Sequence, residues 1–121
     1  MVRNSKILVA GGTGFIGSNL ILDVISRGNE VISLSKNSKN KLKTKNVEYI
    51  FHDLTKPFSE EELELFLDVD YVVTCAGYID HTSFFNGGKK VFYDHLETLY
   101  LLTNLSIKIK AKTFIHLGSS D

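Results

Sequence analysis

Residues 7–17 read Ile-Leu-Val-Ala-Gly-Gly-Thr-Gly-Phe-Ile-Gly, and this stretch decides the fold. A short apolar run ends in glycines at Gly11, Gly14 and Gly17, and helical spacing follows at once. A buried strand, a tight glycine turn and a helix N-terminus in that order are the layout of a dinucleotide-binding turn. Gly11 allows the chain to leave the strand sharply. Gly14 puts no side chain between backbone and a pyrophosphate, and Gly17 lets the helix approach the sheet. The free N–H groups and positive dipole end of the helix then face the phosphates.

Working outward, four more apolar runs alternate with longer mixed segments. The first strand is expected at Lys6–Ala10 and the first helix from Phe15 to Ser26. Ile16, Leu20 and Val24, with Ile21 and Ile25, recur four apart, as one buried helix face requires. Gly28 follows as a C-terminal stop. Strands are expected at Glu30–Leu34, Val47–Phe51, Tyr71–Cys75 and Thr113–Leu117. Ser59 and Glu62 fit a capping box that opens a short helix at Glu60–Leu67. A long helix is expected at Lys89–Ile109, with Leu96, Leu99, Leu102 and Leu105 on its inner side. Strands alternating with helices imply parallel pairing by right-handed crossovers. The expected fold class is α/β: one doubly wound parallel sheet of five strands, order 3-2-1-4-5, with ligand at the carboxyl ends of the strands.

Composition narrows the function. The 121 residues suffice for one domain. Fourteen basic and fourteen acidic side chains cancel, which gives no footprint for nucleic acid or a membrane surface. The single cysteine, Cys75, excludes an internal disulfide and fits a reducing compartment. No segment has the length and apolarity of a membrane span, and the N-terminus lacks a signal-peptide pattern, so a cytoplasmic location is expected. His52, His81, His95 and His116 lack metal-site spacing, and no Gly-Lys-Ser/Thr follows the glycine turn. Cys75 is expected to pack as a small hydrophobe.

Four segments together resemble the extended short-chain dehydrogenase/reductase family of NAD(P)-dependent nucleotide-sugar epimerases, dehydratases and reductases. The first is Gly-Gly-Thr-Gly-Phe-Ile-Gly at 11–17, similar to the family's cofactor turn. His52-Asp53-Leu54 resembles the turn whose aspartate meets the adenine. Val-Thr-Cys-Ala-Gly at 73–77 resembles the fourth-strand end, where small residues such as Ala76 and Gly77 pass under the adenosine ribose. Residues 114–121 resemble the fifth-strand end that carries an active-site hydroxyl, here Ser119 with Ser120 as the fallback. The resemblance implies a Rossmann-type domain and cofactor contacts from Gly11, Gly14, Phe15, Ile16, Gly17, Ser35, Lys36, Asp53, Leu54, Ala76 and Gly77. It also implies hydride exchange between a sugar carbon and the nicotinamide, a nucleotide-sugar substrate and a possible homodimer.

The family's catalytic Tyr-x-x-x-Lys would follow Asp121. Residues 1–121 are therefore expected to be the N-terminal, cofactor-binding part of a longer enzyme, inactive alone. A non-catalytic dinucleotide sensor or scaffold of the same fold is the alternative. The fifth-strand serines favour the enzyme, because a sensor has no need of them. The second strand is followed by Ser35 and Lys36 with no carboxylate nearby, and Lys39 lies close behind. A carboxylate there would favour NAD, whereas a cation accommodates a 2′-phosphate, so the expectation leans to NADP over NAD. Tyr78, Asp80, His81 and Thr82 stand where substrate contacts often lie, with their roles open.

Overall fold

A computed structural model describes residues 4–11, 15–35, 46–75 and 88–117. Five strands form one parallel sheet: β1 (Lys6–Ala10), β2 (Glu30–Ser35), β3 (Val47–Phe51), β4 (Tyr71–Thr74) and β5 (Thr113–His116). Among the described residues, three helices accompany them: α1 (Phe15–Ser26), α2 (Glu60–Leu65) and α3 (Gly88–Lys108). The strand order is β3-β2-β1-β4-β5, as the alternating pattern predicts, and all four pairings are parallel.

Central parallel strands are covered on both faces, so they are apolar without alternation. Leu8, Val9 and Ala10 of β1 are completely buried, and Val31 to Ser35 of β2 are buried throughout. One face packs Leu8, Ala10, Ile32, Leu34 and Val72 against Phe66, Leu102, Leu105 and Ile109, from the end of α2 and from α3. The other packs Ile7, Val9, Val31 and Val73 against Ile21 of α1, with Leu20, Val24 and Ile25 beside it.

Local signals hold the elements in place. Ser59 caps α2, and Glu62 returns the bond to the Ser59 N–H, completing the capping box. Gly28 ends α1 at φ 85°. At the amino end of the sheet, Asp70 Oδ2 accepts from the Lys6 N–H at 3.0 Å, and Lys6 Nζ lies 3.0 Å from Asp68.

Two inner-face expectations fail. Leu96 is 46 % exposed, not inward-facing. Among the described side chains of α3, Thr98, Leu102, Leu105 and Ser106 are buried, as is Ile109 just past its end. At 3.6 residues per turn, a three-residue spacing drifts by about 60° per step, so Leu96 ends about 180° around the helix from Leu105. Ile16 is 58 % exposed. It sits about 140° around α1 from the fully buried Ile21, so the two cannot share one narrow face. Strand and helix ends otherwise move by one or two residues: β2 runs on to Ser35, and α2 stops at Leu65.

Candidate dinucleotide site at the carboxyl ends of the strands

The ladder continues one residue past several strands. The Gly11 N–H donates to the Leu34 carbonyl at 2.7 Å, and the Cys75 N–H to that of Ala10 at 2.8 Å. The His52 N–H donates to the Ser35 carbonyl and the Leu117 N–H to the Thr74 carbonyl, both at 3.0 Å. These bonds set His52, Ser35, Gly11, Cys75 and Leu117 in a row along one edge, in the order of the strands.

Gly11 adopts φ 84°, a left-handed conformation that L side chains resist. There the chain leaves β1 toward α1. The first turn of α1 carries no acidic side chain, so its N-terminal dipole is not neutralised by a carboxylate of that turn. Gly17 is buried in the same helix, and Ile16 beside it faces outward. A glycine with positive φ leading towards a helix whose first turn has no acidic side chain fits a pyrophosphate.

Ser35 is buried at the end of β2. Asp53 forms a turn of its own: its Oδ1 accepts from the Thr55 N–H at 3.0 Å and from the Thr55 hydroxyl at 2.7 Å. This fixes the carboxylate, an Asx-type turn the residues alone do not single out. Leu54 packs against the α2–α3 core. Cys75 is half-buried, and burial pushes its thiol pKa up, away from the reactive thiolate.

The structure thus brings Gly11, Ile16, Gly17, Ser35, Asp53 and Leu54 to this edge, and α1 begins at Phe15. Gly14, Lys36, Ala76, Gly77, Ser119 and Ser120 lie outside the described residues, as do Tyr78, Asp80, His81 and Thr82. Among the described residues, no group of three or more His, Cys, Asp or Glu side chains could hold a metal ion. No described helix is long and apolar enough to cross a membrane.

Sequence reasoning missed the pairing of His52 with Glu62, whose Nδ1 and Oε2 lie 2.8 Å apart. Burial works against the Glu62 charge. The Ser59 N–H, the His52 ring and the Ser59 hydroxyl outweigh it and hold the carboxyl below its ordinary pKa. The capping box marked Glu62 as a local partner of Ser59, but nothing in spacing alone pointed ten residues back across the turn.

Comparison with solved structures places this fold among epimerases and short-chain dehydrogenases. A UDP-N-acetylglucosamine 4-epimerase from Methanobrevibacter ruminantium superimposes with TM-score 0.83 at 22% identity, covering 98% of this chain and 39% of that one. A UDP-glucose 4-epimerase from Thermotoga maritima, solved with UDP-glucose, gives TM-score 0.74 at 26% identity over 92% of this chain and 37% of its own. A short chain dehydrogenase from Leptospira borgpetersenii with bound NAD+ gives TM-score 0.76 at 24% identity, over 97% and 52%. The chain therefore spans about two fifths to one half of these relatives. Comparison with curated proteins gives no match. The model of the NAD dependent epimerase/dehydratase family matches residues 7–121, and the chain belongs to that family.

Proposed function

We propose that this chain is the dinucleotide-binding portion of an NAD(P)-dependent nucleotide-sugar epimerase, dehydratase or reductase. The observation that carries the reading is Gly11 at φ 84° turning from β1 into α1, in a row with the ends of the other strands. Gly11, Gly14 and Gly17 would admit the pyrophosphate, Asp53 and Leu54 the adenine, and Ser35 with Lys36 the adenosine ribose. Ala76 and Gly77 would pass beneath it. When bound, the nicotinamide would supply hydride exchange with a sugar carbon. Ser119, or Ser120 in its place, would hold the sugar hydroxyl or keto oxygen. The UDP-glucose named for the Thermotoga relative and the NAD+ named for the Leptospira relative support these ligand classes.

Calorimetric titration of the chain with NADP+ and NAD+ tests the reading. Both should bind, NADP+ more tightly. Lys36→Asp should shift the preference towards NAD+ by tenfold or more, since a charge-assisted contact contributes about 1.5–3 kcal/mol. An unchanged ratio would exclude Lys36 as the reader of the 2′-phosphate, and no binding of either ligand would sink the reading.

The reading includes a homodimer through α3. Tyr93, Leu96, Tyr100 and Ile107 are all exposed, and with Thr103 they alternate three and four apart, the spacing of a helix–helix seam. Light scattering should give twice the chain mass, and Tyr100→Glu should return it to one. A monomer mass across concentrations would remove this part of the proposal.

A further inference from the structure

The turn after β3 is braced by a side chain to which the dinucleotide reading gives no task. The His52 ring lies flat on Phe58, with centroids 4.2 Å apart and planes 11° from parallel. Phe58 in turn meets Phe66 edge-on at 5.9 Å. Nδ1 of His52 lies 2.8 Å from Glu62 Oε2 of α2, and Nε2 lies 2.9 Å from the Lys56 carbonyl oxygen. Both partners are acceptors. A neutral imidazole has one N–H and serves one of them, whereas the doubly protonated ring serves both.

Around this ring the turn is closed on itself. Glu62 Oε1 accepts from the Ser59 N–H at 2.9 Å, which joins the start of α2 to the carboxylate that meets His52. The His52 N–H holds Ser35 of β2, and Asp53 follows immediately. Among the described residues, the charged group that meets the ring is Glu62 of α2, and Asp53 and Lys56 are its charged neighbours in sequence within the turn. The ring is 9 % exposed and Glu62 26 %, so the tie is partly shielded from water.

We propose that His52 is a positioning residue for the dinucleotide: its doubly protonated ring holds the Asp53 turn against α2, and loss of one ring proton to solvent loosens that turn and weakens dinucleotide binding. The inference rests on the dinucleotide reading above. The sign follows from the acceptors: as pH rises, one tie loses its donor, so affinity falls. Glu62, held below its ordinary pKa, stays a carboxylate at the acidic end of the comparison.

NAD+ should be titrated calorimetrically into the full chain at about pH 5.5 and about pH 8.5, on either side of neutrality. NAD+ lacks the 2′-phosphate of NADP+, which would itself titrate in this range. The Kd of the unaltered chain should rise about three- to tenfold between the two pH values, the effect of one net hydrogen bond. His52→Gln, which does not titrate, should flatten that rise. Glu62→Gln should shrink it, and serves as the variant if His52→Gln does not fold. Amide protection factors over residues 52–58, measured without ligand, should fall with the same pH dependence. An equal rise in the unaltered chain and the variants would overturn the role of His52. Failure of the unaltered chain to bind NAD+ at either pH would instead overturn the dinucleotide reading, and this inference with it.

Discussion

Phe66→Ala should lower the unfolding free energy by about 3–5 kcal/mol, the range for removing a fully buried large aromatic. Phe66 is completely buried and is the largest of the fully enclosed side chains among the described residues. It is the residue on which α2 ends, and it packs into the core formed by Leu8, Leu34, Val72 and Leu102. Truncation removes its contacts with β1, β2 and α3 together, and close-packed neighbours collapse into the space only in part. Since small domains carry about 5–15 kcal/mol in total, one substitution would use a large share of the margin. Urea unfolding should show a lower midpoint with an unchanged slope, as expected when stability falls without a change in exposed area. Phe66→Leu, which keeps most of the volume, should lose less than half as much. A loss under about 1 kcal/mol for alanine would mean that this end of α2 is not fixed by the core.

The same residue shows where sequence reading reaches and where it stops. Apolar runs of four to six residues separated by helical spacing dictate parallel strands, and a right-handed crossover rule then leaves few arrangements. Strand order and the bounds of β1, α1 and β3 follow from that. The α2 cap is equally legible, because Ser59 and Glu62 meet within one turn. Contacts across a turn are not. Nothing in the spacing of His52, Phe58 and Phe66 says that their rings touch in succession, because loop geometry sets that chain.

Inner faces of helices are legible only when angular drift is followed. A line of leucines three apart looks like a stripe in α3 but rotates off the sheet, while Thr98 and Ser106, polar by type, are buried. Ser106 is accommodated because its hydroxyl donates to the Leu102 carbonyl one turn back, at 2.9 Å. At the candidate site, Gly11 could be read directly, since turning out of a strand calls for its conformational freedom. The fixed Asp53 carboxylate depends on Thr55, a local pair that the residues held but whose effect only the folded turn displays.

Gly11→Ala should weaken NAD+ binding by tenfold or more, and a matched substitution separates binding from strain. Gly11 and Gly28 have nearly equal φ angles, 84° and 85°. An L side chain at either position costs about 1–2 kcal/mol through the clash of Cβ with the neighbouring carbonyl. At Gly28 that is the main cost, because the atom nearest an added Cβ is Asn4 Oδ1, at 4.0 Å. Gly28 lies past the C-terminal end of α1, away from the strand ends that would meet the ligand. Gly11 lies at the opposite end, where its N–H holds the Leu34 carbonyl and its conformation sets the path into α1. Relaxing that strain would move the helix N-terminus, and the N–H groups proposed to meet a pyrophosphate would lose their convergence. Both variants should therefore unfold at lower urea concentration by similar amounts, with NAD+ affinity reduced in Gly11→Ala and changed by less than about twofold in Gly28→Ala. Equal affinity in the two variants would make Gly11 a turn residue only, and would move the phosphate contact away from the end of β1.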